Sequence, residues 1–315
     1  MELCVTLNTT YEKIPVTTLA SGFELFFPLH RLEGRRPGPT LGLSAVVHGD
    51  EPLTNEVVRQ VLMRLDPAEL RGTILAMPIV NTLAFESLTR HTPIDMLDLN
   101  RNFPGGPSGW LSEQMAHVLG TRFVSQLDAH VDLHTGGVFP TVDYVYLFER
   151  SRELSMAFGS TFLFAPSNPY PGTFSIPARE KGIPFFTAEL GGGSFLDAHY
   201  IEHGVRGVMN VMKQLGMLDG EIVRPPRQTI VTEMAVIRPQ VGGMLHPEIG
   251  LDQLGKEVKG GTLLARVLSP HTFETLEEIR APFERGYVIL LRGGLMRVHP
   301  GDYGYMIANA ETARD

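Results

Sequence analysis

The chain has 315 residues, 43% hydrophobic and 20% charged, with a net charge of −8 and a single cysteine, Cys4. That size and balance fit a globular protein of one large domain or two unequal ones, at about 100–200 residues per domain. The interspersed charges argue against nucleic acid as a partner, no window reaches the ~18 apolar residues of a membrane span, and one cysteine excludes an internal disulfide.

The start, "MELCVTLNTTYEKIPV", lacks the basic residues and continuous apolar run of a signal peptide. A reducing, cytoplasmic setting is the expectation. Cys4 reads as a buried strand residue. The stretch from there to Gly34 reads as short strands and turns. "GPTLGLSAVVHG" follows as a strand apolar on both faces, which predicts a central place in a sheet. "PLTNEVVRQVLMRL" spaces Val57, Val58, Val61, Leu62 and Leu65 as one helical face, and Pro52 suits its first turn. "GTILAMPIVN" is a strand and "PSGWLSEQMAHVLGTRFVSQL" a helix. "AHVDLHTGG" and "DYVYLF" are strands, "SRELSMAFGSTF" a helix, "IPFFTAELGGG" a strand and "AHYIEHGVRGVMNVMKQLGML" a long helix with glycine breaks. Strands alternate with helices, so the fold class is α/β, with a mixed, largely parallel sheet sandwiched by helices.

The texture changes at "RPPRQTIV", which reads as a linker. Beyond it come Gly, Pro and short β-runs, "TLLARVL", "EEIRAPF", "GYVILL" and "GDYGYMI", with a helix conceivable only around Leu251. The division expected is a catalytic α/β domain over residues 1–225 and a small all-β module over 226–315.

Four segments place unusual polar groups at strand ends: "HGDE" (48–51), "DLNRNFPGG" (98–106), "DLHTGG" (132–137) and "ELGGG" (189–193). Loops beyond the carboxyl ends of strands are where sites assemble in open α/β sheets. His48 and Glu51, three apart across a strand-to-helix turn, can face one ion. A catalytic zinc takes three protein ligands, and His134 is the best third. Its plainer reading is a core histidine. His130, two residues from Asp132, precedes this better-placed position. The other histidines read as surface or structural. Glu189 ends an apolar strand, where partial desolvation raises a carboxyl toward the range useful for proton transfer; its plainer reading is a surface glutamate. Arg101 and Arg179 suit a substrate carboxylate, and Arg90 could hold a developing oxyanion. No nucleophile elbow, dinucleotide fingerprint or P-loop is present. Ser194 follows three glycines without the elbow pattern.

The order H-x-x-E, D-L-N-R-x-F-P-G, D-L-H, E-L-G-G-G resembles the succinylglutamate desuccinylase/aspartoacylase family of the zinc carboxypeptidase superfamily, over roughly residues 35–215. The resemblance implies one Zn²⁺ per chain, held by His48, Glu51 and His134, with Asp98 orienting the first histidine from behind. It implies that Asn100, Arg101 and Arg179 hold the substrate, that Glu189 is the general base and that Arg90 polarises the carbonyl. The spacing of Arg90 from "DLNR" departs from that of aspartoacylase. The tail is similar to the family's β-module, which resembles a biotinyl/lipoyl domain. It lacks a Met-Lys-Met modification site, so no attached cofactor is expected. Tyr287, Tyr303 and Tyr305 are all available to face the substrate.

"SGFELFFPLH", "DLNRNFPGG" and "ELGGG" look closest to the bacterial deacylase branch, which implies a zinc-dependent amidohydrolase acting on a small N-acyl amino acid, in the manner of N-acetyl-diaminobutyrate deacetylases. The alternatives are succinylglutamate desuccinylase or aspartoacylase activity, a metallocarboxypeptidase, and a non-catalytic metal-binding module. No membrane partner is expected, and a homo-oligomer is left open.

Overall fold

The computed structural model describes residues 8–168, 170–192 and 197–314. Cys4, Gly193 and Ser194, singled out above, lie outside the described residues.

The first part runs β1 (Thr10–Thr18), β2 (Glu24–Glu33), β3 (Arg36–Ala45), α1 (Leu53–Arg64), β4 (Arg71–Met77), α2 (Thr82–Ser87), α3 (Leu111–Val118), β5 (Ala129–His134), β6 (Thr141–Tyr146), α4 (Arg152–Phe158), β7 (Phe162–Phe164), α5 (Ser175–Lys181), β8 (Phe185–Gly192) and α6 (Ala198–Gln214). After an irregular stretch come β9 (Thr229–Val231), β10 (Met234–Ile237), β11 (Gly243–Pro247), β12 (Glu257–Lys259), β13 (Leu263–Leu268), β14 (Thr275–Arg280), β15 (Arg285–Leu291), β16 (Met296–Val298) and β17 (Tyr305–Asn309).

Strands β4, β3, β5 and β8 lie side by side and parallel. They form the centre of a mixed sheet that has 13 strands among the described residues. Their two apolar faces are explained by helices on both sides. Helices α1, α4 and α6 cover one face, where Val57, Val61, Phe158 and Val208 meet Leu43, Val131 and Phe186. Helices α3 and α5 cover the other, where Met115, Ala116 and Ala178 join Leu75, Met77 and Phe27. Among the described residues no helix is long and apolar enough to cross a membrane.

Three local expectations change. The N-terminal "short strands" are two long ones, β1 and β2, paired as an antiparallel hairpin that docks on β4. Alternate residues Leu25, Phe27 and Leu29 are buried, and this amphipathic run holds the hairpin on the sheet. The helix expected over 107–127 is α-helical only to Val118, then passes through a π turn (Leu119–Phe123) and a 3₁₀ turn (Val124–Gln126). Near Leu251 there is only a 3₁₀ turn, Leu251–Gln253.

The strands after 225 divide between two sheets. Strands β14, β13, β11 and β16 form a separate antiparallel sheet. Strands β10, β12, β15 and β17 extend the main sheet, because β15 pairs with β6 at Leu290↔Val142 and Leu291↔Thr141. The C-terminal part is thereby joined to the strand that borders β8.

Candidate active site

The loops of interest leave the carboxyl ends of β3, β5 and β8. After β3, Val46 takes a positive φ of 54° and turns the chain. Gly49 then passes so close to α2 that an added Cβ would lie 2.0 Å from the Ala84 carbonyl, so no side chain fits. Thr54 at the start of α1 pins the turn: its hydroxyl accepts from the Val46 N–H at 3.2 Å and donates to the Glu51 carbonyl at 2.9 Å.

This turn presents His48 and Glu51 to His134, which is the last residue of β5. His48 Nδ1 is 2.8 Å from Glu51 Oε1, His134 Nδ1 is 3.0 Å from Glu51 Oε2, and the two Nδ1 atoms are 3.2 Å apart. All three residues are buried. Each imidazole is held from behind, His48 Nε2 by Asp98 Oδ1 at 3.2 Å and His134 Nε2 by Asp132 Oδ2 at 2.9 Å. A carboxylate accepts, so both Nε2 atoms carry the protons and both Nδ1 atoms offer lone pairs. Three such acceptors converging in a buried space repel one another unless a cation lies among them. Tetrahedral bonds of about 2.0–2.1 Å place ligand atoms about 3.3 Å apart, which suits this spacing. The His48, Glu51 and His134 group could therefore hold a metal ion.

The electrostatics agree. Burial alone would raise the Glu51 carboxyl, but His48 and His134 hold it below the usual carboxylate range. Burial would lower His134, but Asp132 and Glu51 raise it well above its ordinary value. Positive charge is in demand at this point, and a metal ion would supply it in place of a proton.

Glu189 lies opposite His134 in the β5–β8 ladder and opposite Tyr144 in the β6–β8 ladder, so it shares their face of the sheet. Among the described residues no hydrogen bond or ion pair occupies its carboxyl. Burial pushes it up to about 7; His134 opposes the rise and Glu51 adds to it. Tyr144 donates its hydroxyl proton to the Tyr146 hydroxyl at 2.9 Å, which leaves the Tyr146 proton for another acceptor.

These groups line a cavity of about 190 Å³, together with Arg90, Asn100 and Arg101. Arg90 Nε donates to Asp98 Oδ2 at 3.0 Å, and its Nη1 lies 3.4 Å from His48 Nδ1. Asp98 also accepts from the Asn100 N–H at 2.8 Å. Burial would raise this carboxyl, but His48, Arg90 and Arg101 hold it well below the ordinary range. The Asn100 side-chain oxygen accepts from the Phe174 N–H at 2.8 Å, and Arg101 donates to the Asn100 carbonyl at 2.7 Å.

Arg179 is not brought to this cavity. It is exposed in the last turn of α5, a helical turn beyond Ser175, which does line the cavity. A second arginine comes instead from the C-terminal part. Arg238, just after β10, lines the cavity with its guanidinium 4.1 Å from the centre of the Tyr303 ring. Its Nη1 donates to the Gly301 carbonyl. Arg292 donates to the Tyr303 carbonyl at 2.5 Å and fixes that loop. Of the three tail tyrosines, Tyr303 lines the cavity, Tyr305 is buried with its hydroxyl on the Leu264 carbonyl at 3.0 Å, and Tyr287 packs on Phe162. Sequence reading also missed Asp132, Tyr144, Tyr146 and Tyr170. Asp132 and His134, and likewise Tyr144 and Tyr146, are two apart on a strand and so share a face; that period was the available signal.

The comparisons give the class, a hydrolase of amide bonds, and the site has a buried His48, Glu51 and His134 group that could hold a metal beside an unpaired Glu189 carboxyl. The chain belongs to the family described as the succinylglutamate desuccinylase/aspartoacylase catalytic domain, whose model matches residues 37–215. It is similar to the N-alpha-acetyl-L-2,4-diaminobutyric acid deacetylase of Halomonas elongata, with 26% identity over 310 residues, covering 94% of this chain and 90% of that protein. Among solved structures it is similar to the product-bound ectoine utilization protein EutE (DoeB) from Ruegeria pomeroyi, with a TM-score of 0.85, 25% identity and coverage of 96% of this chain and 95% of that one. It is likewise similar to a succinylglutamate desuccinylase/aspartoacylase from Rhodobacter sphaeroides, with a TM-score of 0.82, 26% identity and the same two coverages, 96% and 95%.

Proposed function

We propose that this protein is a zinc-dependent deacylase that hydrolyses a small N-acyl amino acid in the cytoplasm. The observation that carries the reading is the uncommitted Glu189 carboxyl, set across the ladder from His134 beside the converged His48 and Glu51. Zinc held by these three residues would act as a Lewis acid on the acyl carbonyl and lower the pKa of water. Glu189 takes a proton from the attacking water as its oxygen bonds to the acyl carbon. Arg90 Nη1 donates to the oxygen that gains charge. The carbon–nitrogen bond breaks as Glu189 returns the proton to the leaving nitrogen, which gives a carboxylate and a free amine. Asn100 and Arg101 hold the amino acid's carboxylate.

Similarity to the Halomonas elongata deacetylase favours N-acetyl-diaminobutyrate as substrate. One observation favours a second reading, an acidic N-acyl amino acid such as N-acetylaspartate or N-succinylglutamate. The only carboxylates among the described cavity residues are Glu51 and Glu189. In the reaction proposed, Glu51 serves the metal and Glu189 carries the proton, which leaves neither to pair with a side-chain ammonium. Arg101 and Arg238, by contrast, form no ion pair with a carboxylate among the described residues.

The test is amine release from these three compounds by zinc-loaded protein, with a chelator-treated control. Zinc-dependent turnover of at least one supports the deacylase reading, and the preferred compound decides between the two substrates. No turnover of any N-acyl amino acid, with zinc bound, would contradict it.

A further inference from the structure

Behind His134 a line of polar groups runs through the core. Ser44, His130 and Asp132 are each 0% exposed. Ser44 of β3 is in register with Asp132 of β5, and His130, Asp132 and His134 alternate along β5 on one face. His130 Nε2 is 2.7 Å from Ser44 Oγ, Ser44 Oγ is 2.5 Å from Asp132 Oδ1, and Asp132 Oδ2 is 2.9 Å from His134 Nε2.

Counting protons fixes the direction. The Ser44 hydroxyl has one proton, and it goes to Asp132, which only accepts. His130 Nε2 must then carry a proton and donate it to Ser44 Oγ. That leaves His130 Nδ1 as the lone-pair atom, and it has no partner among the described residues. The ring is enclosed edge-on by Phe123, Phe174 and Phe185. Burial lowers this imidazole to about 4, so it is neutral in the folded protein. Every donor points toward Asp132, and the line ends at an atom that can pass no proton on. It orients and does not conduct.

The two histidines of the site are therefore braced differently. The Asp98 behind His48 is held by Arg90 at the cavity wall. The Asp132 behind His134 is held from within the core. We propose that Ser44 and His130 are positioning residues that set metal affinity through Asp132, an inference that rests on the reading of His134 as a metal ligand. With both oxygens occupied, Asp132 cannot rotate, so His134 keeps its proton on Nε2 and aims its Nδ1 lone pair into the site.

The experiment measures the Zn²⁺ dissociation constant by chelator competition, the absorption spectrum of the Co²⁺ form, and the melting temperature of the metal-free protein. Ser44→Ala is expected to weaken Zn²⁺ binding about tenfold and alter the Co²⁺ spectrum. His130→Phe, which fills the aromatic cage without a donor, is expected to weaken it a few-fold, and His130→Gln, which restores an N–H donor, to recover it. In an Asp132→Asn background Ser44→Ala should add nothing further. A change in melting temperature with an unchanged dissociation constant would mean a structural role only and overturn the proposal. So would wild-type affinity in His130→Phe, which decides the matter even where Ser44→Ala fails to fold. His134→Ala separates the two readings. If it loses zinc while Ser44→Ala and His130→Phe bind normally, only the positioning proposal fails. If it binds zinc as the wild type does, the ligand assignment fails as well.

Discussion

Arg238 carries the clearest consequence at the scale of single residues. A charge-assisted hydrogen bond from it to a substrate carboxylate contributes about 1.5–3 kcal/mol. Arg238→Gln should therefore lower kcat/KM by roughly 10–100-fold, mostly through KM, whereas Arg179→Gln on the exposed end of α5 should stay within about twofold. Steady-state kinetics on the preferred substrate checks both. A second residue-scale prediction concerns His203, which burial holds down to about 4. In the unfolded chain an ordinary histidine takes its proton near 6.5. The folded state refuses that proton, so the contribution of His203 to stability is complete above about 6.5 and falls as the pH drops toward 4. Relative to the wild type, His203→Gln should gain about 1 kcal/mol of stability per pH unit over that window, measured by urea unfolding. A constant difference between the two proteins would show that His203 does not titrate differently on folding.

How much of the site was legible follows from the same residues. His48, Glu51, His134 and Glu189 stand at strand ends in segments with unusual polar content, and the structure brings them together with Asn100, Arg101 and Arg90. Arg179 is suggested by its residue type and by the family resemblance, and neither says where a side chain reaches from the far end of a helix. Arg238 gave no signal, and Tyr303 could not be told apart from Tyr287 and Tyr305, because their place in the cavity depends on β15 pairing with β6, which no local pattern encodes.

At the scale of elements, the glycine breaks in the long helix turn out to be packing sites. An added Cβ at Gly204 would lie 2.9 Å from Leu190 and Val57 side-chain atoms, and one at Gly207 would lie 2.5 Å from the Phe158 ring. These contacts let α6 sit close to α1, α4 and β8. In an exposed helix Gly→Ala gains about 1 kcal/mol, but forcing a methyl against a fully buried ring costs about 1–3 kcal/mol. Gly207→Ala should accordingly be destabilising on balance, seen as a lower midpoint in chemical denaturation. The helical period of α1 was readable for the opposite reason: its face is built of Val57, Val58, Val61 and Leu62, which pack where the spacing says they must. The π turn after α3 was not readable, since the departure from α-helix lies in backbone hydrogen bonding and not in the hydrophobic pattern.

At the scale of the whole molecule, the proposed division at residues 225 and 226 separates two stretches that share one sheet. Strand β15 completes the edge of β6, and β9 pairs with β7. Val142, Tyr144, Ile289, Leu290 and Met306 share one apolar cluster across the division. Residues 1–225 alone should therefore expose an unpaired strand edge and an apolar face, and form aggregates or a loosened monomer by size-exclusion chromatography. A well-folded, monomeric fragment would contradict that expectation. The compositional change near residue 225 signalled the shift from helix to strand, but it could not say that the later strands would join the earlier sheet and carry Arg238 and Tyr303 to the cavity.

The central claim is that metal holding and proton transfer belong to different residues of one site. Zinc content and amine release measured together on Glu189→Ala test it most directly. The account predicts one zinc per chain, as in the wild type, with hydrolysis lowered by about 10²–10⁴-fold or more. Hydrolysis at the wild-type rate with zinc in place would contradict it.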